Sequence, residues 1–321
     1  MQFFGGNLMN KTLIGYTGFV GSNLDLQAAF NKKYNSRNIS DAFSEEHDLV
    51  VYSGVRAEKF LANLEPENDL EHIMQTIENI QKMKFRKLVL ISTVDVYKDT
   101  VGVNENTQIE TEALHPYGKN RYQLEKWVME NVNDYHILRL PGLFGRNIKK
   151  NFIFDMINII PSMLKEEKLI DLQKICPLNI YEFYLKQENG FYRLKSLDEK
   201  SRLTLKAFFE SCGFNALSFT DSRSTFQFYN LKYLWEHIDV AIKNDIRLMC
   251  LATEPVSAGE LYCHIFFKEF KNEFSKAPAS YDMRTIYSEL FEGERGYISD
   301  KHSIMDEIRE FVNRGLLGDK Q

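Results

Sequence analysis

Residues 11–21 read Lys-Thr-Leu-Ile-Gly-Tyr-Thr-Gly-Phe-Val-Gly, a short apolar strand that runs into Gly15, Gly18 and Gly21. No other segment narrows the choice of fold as sharply. A strand that ends in closely spaced glycines and passes straight into a helix aims the helix's free N–H groups, and the positive end of its dipole, at whatever lies over the turn. A pyrophosphate is well suited to that place, so the segment reads as a device for holding a dinucleotide. Gly15 makes the turn, Gly18 leaves room for phosphate, and Gly21 lets the helix pack closely on the strand. The same spacing also occurs in plain strand-to-helix turns, so the rest of the chain has to decide.

With 321 residues, 44% of them hydrophobic, the chain can bury a large core in one domain or two lobes. A net charge of −5 gives no reason to expect nucleic acid or an anionic membrane as partner. The 24 Phe and 16 Tyr argue against disorder. Cys176, Cys212, Cys250 and Cys263 form no C-x-x-C pair and no His–Cys cluster at metal spacing. They read as reduced thiols of a cytoplasmic protein, with no metal expected. No apolar run reaches membrane-spanning length. Met1–Asn10 lacks the basic-then-apolar pattern of a signal peptide and is expected to be a loose extension.

The first half alternates strand and helix patterns. Residues 11–15, 48–53, 87–91 and 136–140 are short apolar runs. Between them, 21–30, 69–83 and 117–131 have helical character, with Ile73, Ile77 and Ile80 on one face. Strands separated by amphipathic helices predict an α/β fold, a Rossmann-type doubly wound parallel sheet covered on both sides. The dinucleotide-binding core is expected over residues 11–150. A smaller, mostly helical substrate lobe is expected over 151–321, with a helical insertion near 163–215 that turns at Asn189-Gly190. A strand at 246–252 is expected to return to the sheet. Ser257, with Glu260 three residues on, predicts a capped helix over 257–267.

Three further segments fall where strands should end, the place where ligands bind in such sheets. They are Ser92-Thr93-Val94-Asp95-Val96-Tyr97, then His115-Pro116-Tyr117-Gly118-Lys119-Asn120-Arg121 with Glu125 following, then Pro141-Gly142-Leu143-Phe144-Gly145. With the glycine turn, their order and spacing resemble the extended short-chain dehydrogenase/reductase superfamily of nucleotide-sugar epimerases, dehydratases and reductases. The resemblance covers most of 11–150 and extends, more weakly, into 219–267. It implies a nicotinamide cofactor held by Gly15, Thr17, Gly18, Phe19, Val20 and Gly21, by Ser53 and Gly54, and by Pro141 and Leu143. It implies that Thr93, Tyr117 and Arg121 are catalytic, that Arg121 stands where the family's Tyr-x-x-x-Lys pair has its lysine and polarises the tyrosine, and that Tyr117 and Arg121 also touch the cofactor.

A tyrosine and a cation four residues apart share one face of a helix. The cation favours the phenolate, so the phenol can exchange a proton with a sugar oxygen while hydride moves at the same carbon. Arginine keeps the charge but releases no proton at working pH, and its fork is bulkier than an ammonium. A literal Tyr-x-x-x-Lys also occurs at Tyr122 and Lys126, but it is rotated about 140° around the helix. Pro116, Gly118 and Glu125 register instead with Tyr117.

The family's dehydratases follow the threonine with two acids. Here Val94 takes the first place and only Asp95 is acidic, which leaves Asp95 as a substrate contact or a turn residue. Gly142 replaces an asparagine common in the sugar-binding families. No acid lies about 20 residues past the first glycine, where Arg37 suggests NADP over NAD through its affinity for a 2′-phosphate. Farther on, Arg223 is a candidate for a diphosphate, and Gln227 and Tyr229 for a sugar or base.

The sequence therefore predicts an NAD(P)-dependent oxidoreductase acting on a nucleotide-sugar, by keto-reduction or by epimerisation through a transient ketone. The alternative is a cofactor-binding redox sensor or scaffold without turnover. The insertion is expected to act as a lid, a substrate floor or an oligomer contact, the last consistent with a homodimer.

Overall fold

The computed structural model describes residues 10–317. The extension expected at Met1–Asn10 therefore falls outside it except for Asn10. That residue is firmly tied: its N–H bonds Asp48 Oδ2 at 2.7 Å and its side chain bonds the Glu46 carbonyl.

The first half runs β1 (Lys11–Ile14), α1 (Phe19–Gln27), β2 (Lys32–Tyr34), β3 (Glu46–Tyr52), α2 (Lys59–Leu64), α3 (Pro66–Lys82), β4 (Lys84–Thr93), α4 (Pro116–Asn131) and β5 (Tyr135–Leu140). The second half runs β6 (Gly142–Phe144), α5 (Phe152–Ile157), β7 (Met163–Lys165), α6 (Glu166–Ile175), β8 (Tyr184–Lys186), β9 (Phe191–Leu194), α7 (Glu199–Ser211), β10 (Thr225–Phe226), β11 (Phe228–Asn230), α8 (Leu234–Lys243), β12 (Leu248–Cys250), β13 (Val256–Ser257), α9 (Ala258–Phe266) and α10 (Lys301–Leu316).

Six strands form one sheet in the order β12-β5-β4-β3-β1-β2, every pair parallel. Both faces are covered, as the apolar runs require. Successive residues alternate between the faces. Leu13, Leu49, Val51 and Val89 pack with Leu24 of α1 and with Leu234 and Ile238 of α8. Ile14, Val50, Leu88 and Leu90 pack with Ile73, Ile77 and Ile80 of α3 and with Leu124 and Val128 of α4. The common dinucleotide-binding order has two strands beyond the first; only the three-residue β2 lies there in this sheet. The link from β2 to β3 holds a single 3-10 helix, Ile39–Ser44, and is too short for another strand and helix.

Residues 163–215 differ from the expected helical insertion. They build a three-stranded antiparallel sheet, β7-β9-β8, flanked by α6 and α7. Its own core holds Leu164, Leu169, Tyr184, Leu205 and Phe209. The hairpin turns at Asn189-Gly190, where Gly190 has φ 80° and donates to the Gln187 carbonyl at 3.1 Å. Asn-Gly between two short aromatic runs is a hairpin signal, but strands this short show no clear period.

In the rest of the second half, α5, α9 and α10 enclose Phe152, Leu261, Ile304 and Ile308. Ser257 caps α9 and Glu260 completes the capping box, as the spacing predicts. Parallel β6–β11 and antiparallel β10–β13 add two small sheets. All four cysteines are free. Among the described residues, no helix is long and apolar enough to cross a membrane.

Candidate active site

The ends of β1, β3, β4 and β5 open on one edge of the sheet, and the glycine turn forms one wall there. Gly15 has φ 87° and donates to the Tyr34 carbonyl at the end of β2 at 2.7 Å. A Cβ on Gly15 would stand 2.6 Å from Gly54 Cα, so the turns after β1 and β3 touch through backbone. A Cβ on Gly21 would lie 2.1 Å from the Gly15 carbonyl oxygen. Thr17 and Gly18 are exposed, and Phe19 and Val20 are half-buried. Ser53 is not free for a ligand through its hydroxyl proton, which it gives to the Ile14 carbonyl at 2.8 Å. This backbone-lined concavity at a helix start fits a dinucleotide pyrophosphate. Gly21→Ala is expected to cost about 1–3 kcal/mol through overpacking against backbone and to weaken dinucleotide binding. Thermal melts and cofactor fluorescence titration check both.

Tyr117 enters from the opposite wall. Pro116 starts α4, and His115 caps it by accepting the Gly118 N–H at 3.0 Å through Nδ1. A Cβ on Gly118 would sit 1.9 Å from the Asp95 carbonyl oxygen, so only glycine allows α4 to press against the turn after β4. That approach brings the Tyr117 phenol to Thr93, whose hydrogen bond favours its ionised form. The Thr93 hydroxyl oxygen accepts the Asp95 N–H at 3.2 Å, which leaves its own proton to donate.

Arg121 lies between the Tyr117 ring and α3. Its guanidinium carbon lies 4.0 Å from the centre of the Tyr117 ring, over the face. Nη1 pairs with Asp69, Nη2 bonds the Arg56 carbonyl, and only 4% of the residue is exposed. Asn120 fixes Asp69 from the side at 2.8 Å. The fork is thus bound into the wall between α3 and α4, with its Nε a buried donor that lacks a partner among the described residues. Arg121 favours the phenolate, the direction expected of the cation, and so does Thr93, but burial outweighs both and the phenol's pKa is raised.

Sequence reasoning missed several groups at the site. Lys59 Nζ bonds Asp95 Oδ1 at 2.7 Å and Tyr281 Oη at 3.1 Å, and Tyr281 also donates to Asp95 at 3.2 Å. Burial pulls the Lys59 ammonium down, but Asp95 and Tyr281 raise it further. His115 stacks on Tyr117 with centroids 6.3 Å apart, and burial and Lys59 hold its pKa below the ordinary value. Lys150 reaches across from the loop before α5 to the Ala57 carbonyl. Only a single lysine, tyrosine or histidine marks each of these places in the sequence, and all three types are common on surfaces.

Other expected contacts are committed elsewhere. Gln227 is buried; its amide donates to the Thr253 and Met283 carbonyls and accepts the Met283 N–H at 2.7 Å. Tyr229 is 1% exposed in the core and bonds His237 Nδ1. Neither can meet a substrate. Arg223 is partly exposed, but Nε and Nη2 grip Asp221 and Nη2 also bonds the Phe274 carbonyl. The diphosphate role assigned to it would require that grip to break. Pro141 is buried and Leu143 half-buried. Gly142 pairs with Phe228, and a Cβ there would stand 2.8 Å from the Gln227 carbonyl oxygen, so β11 occupies the space an asparagine would need. Lys126, the alternative lysine, pairs with Glu130 on the surface. Arg37 is exposed in the turn after β2 and has no ion-pair partner among the described residues.

Asp134, His136 and Asp245 lie close enough together to hold a metal ion. Lys87 and Arg247 already pair with Asp134 at 2.8 and 3.4 Å, so the group carries its own cations.

Comparison with solved structures finds the same fold at low identity. A dTDP-4-dehydrorhamnose reductase from Clostridium acetobutylicum is 13% identical, with a TM-score of 0.60 over 95% of this chain and 100% of that one. One from Bacillus anthracis, in complex with NADP, is 14% identical, with a TM-score of 0.60 over 98% and 100%. RMD from Pseudomonas aeruginosa, complexed with NADPH, is 13% identical, with a TM-score of 0.61 over 97% and 100%. No curated protein sequence matches the chain. The family model for the RmlD substrate binding domain matches residues 12–182, more than half of the chain. The matched segment spans the glycine turn, Thr93, Tyr117 and the first part of the 163–215 unit, and the chain belongs to the RmlD substrate binding domain family.

Proposed function

We propose that this protein is an NADP-dependent oxidoreductase that reduces a keto group on a nucleotide-linked sugar. The observation that carries the reading is Tyr117, buried at the carboxyl edge of the sheet and bonded to Thr93, where burial favours the neutral phenol. A neutral phenol is an acid, and ketone reduction needs an acid. Epimerisation would first need the same group as a base to oxidise the sugar. The family match supports a nucleotide-sugar oxidoreductase, and the solved structures of the same fold include both reductases and epimerases.

The residues divide the work. Gly15, Gly18 and Gly21 with the start of α1 would hold the cofactor's pyrophosphate. Arg121 Nε is the donor left over for its ribose side. When bound, the reduced nicotinamide supplies a hydride. Thr93 donates to the carbonyl oxygen and orients it. Tyr117 gives that oxygen its proton as the carbonyl carbon becomes tetrahedral, and the phenolate is reprotonated from solvent. Arg121, over the ring face, steadies the transient phenolate but cannot pass a proton on.

The test uses purified protein, NADPH or NADH, and a panel of nucleoside-diphosphate keto-sugars that includes dTDP-4-dehydrorhamnose. Loss of nicotinamide absorbance with one of them supports the reading. Tight cofactor binding with no hydride transfer to any of them would establish the scaffold alternative, which the buried Arg121–Asp69 pair motivates. Arg37→Ala is expected to weaken NADPH binding roughly tenfold and leave NADH binding unchanged, about 1.4 kcal/mol for one charge-assisted contact. Parallel titrations with the two cofactors check this.

A further inference from the structure

Lys59 and Phe60 are neighbours at the start of α2 and make contacts with different parts of the fold. Lys59 Nζ is fixed by Asp95 and Tyr281 beside the phenol. The Phe60 ring meets the ring of Phe191, on β9, edge to face, with centroids 5.2 Å apart and planes at 81°. A helix of six residues thus links the reacting groups to the 163–215 unit.

We propose that Lys59 is a positioning residue acting through Tyr117, and that the 163–215 unit holds it in place by packing Phe191 against Phe60. This rests on Tyr117 as the acid described above.

The charges around the phenol carry the argument. From its own helix Tyr117 faces Arg121, whose charge is offset by Asp69 of α3. From the turn after β4 it faces Asp95, and from the start of α4 it faces His115. Tyr281 joins Asp95 and Lys59 from the chain's last third. Lys59 is the cation that offsets Asp95. Without it, an unpaired carboxylate would stand beside a phenol that must pass through its anion. A lysine head sits on a flexible four-carbon stem, so its place depends on the backbone that delivers it. A helix as short as α2 has little stability of its own and takes its position from what it packs on. Asn63 ties it to α4 by accepting the Tyr117 N–H at 3.0 Å, and Phe60 ties it to β9. The 163–215 unit thereby governs the charge at the reacting oxygen.

His115 reports that charge, since Lys59 lowers its pKa and Asp95 raises it. Its imidazole protons are followed by NMR against pH in the full chain, assigned by their loss in His115→Gln. Lys59→Met is expected to move the His115 midpoint upward, and Lys59→Arg to leave it near the wild-type value. Phe191→Ala should move it upward by less. Combined with Lys59→Met it should add nothing, because both changes act through one ammonium. Phe191→Leu, which keeps the unit's apolar surface, gives the same readout if the alanine variant unfolds. An unmoved midpoint in Lys59→Met, or a Phe191 effect that is absent or additive, overturns the proposal. Where turnover is found, Lys59→Met should lower kcat and leave KM unchanged. A wild-type protein that binds NADPH but reduces nothing would refute the enzyme reading and leave the His115 result to be judged separately.

Discussion

Tyr117→Phe is expected to lower kcat by roughly 10²–10⁴-fold, the usual worth of a positioned proton donor, with NADPH affinity and melting temperature unchanged. Phenylalanine keeps the ring under the Arg121 guanidinium, so the wall it belongs to should stay intact. What is lost is the proton that Thr93 helps to aim. Stopped-flow absorbance and a cofactor titration on the same preparation check both halves. The pH profile adds a second sign. Burial raises the phenol's pKa, so the acid form persists through neutral pH, and the reductive rate should fall only as alkaline pH removes the proton. Near-wild-type turnover in Tyr117→Phe would remove this residue from the mechanism.

Glu125→Ala is expected to cost about 3–5 kcal/mol of stability, the range for leaving a buried charge without its partner. Glu125 is fully buried and Arg139 is 2% exposed. Arg139 Nε bonds both carboxylate oxygens at 3.1 Å and Nη2 bonds one at 2.6 Å, while Ser92 donates to the same carboxylate. The alanine variant would strand a guanidinium in the core with little more than the Tyr97 hydroxyl, now 2.6 Å from Nη1. Glu125→Gln should cost less, since one amide oxygen still accepts. Replacing both partners by apolar residues of similar volume should recover much of the loss. Urea unfolding at neutral pH separates these cases, and a loss below about 1 kcal/mol for the alanine variant would contradict the network's importance.

The residues show why some of this was legible in the sequence. The alternation of apolar runs and helical faces is a local pattern, and it predicted the parallel sheet. The registered trio Pro116, Gly118 and Glu125 selected Tyr117 over Tyr122, and each has a structural reason: a helix start, a close approach to Asp95, and the ion pair with Arg139. The failures came from contacts distant in sequence. Asp69 lies 52 residues from the arginine it binds, and Tyr281 lies 186 from Asp95. Nothing near Arg121 signalled that its fork was already taken. Gln227 and Tyr229 carried polar groups at a plausible place, but a side-chain amide looks the same whether it faces a ligand or a backbone carbonyl. In 163–215 the strands were too short to show a period, and only Asn189-Gly190 hinted at the hairpin.

Gln227 has a consequence of its own. Its single amide works as a strut: the nitrogen donates to the Thr253 and Met283 carbonyls, and the oxygen accepts the Met283 N–H, two residues past Tyr281. The stretch of coil that delivers Tyr281 is held by this fastening and by its own N–H, which bonds the Thr225 carbonyl of β10 at 3.1 Å. A change at this buried amide, which no bound molecule reaches, would therefore slacken the segment that brings Tyr281 to the pocket. Variants of this protein that differ in what they accept need not differ in any residue that touches it.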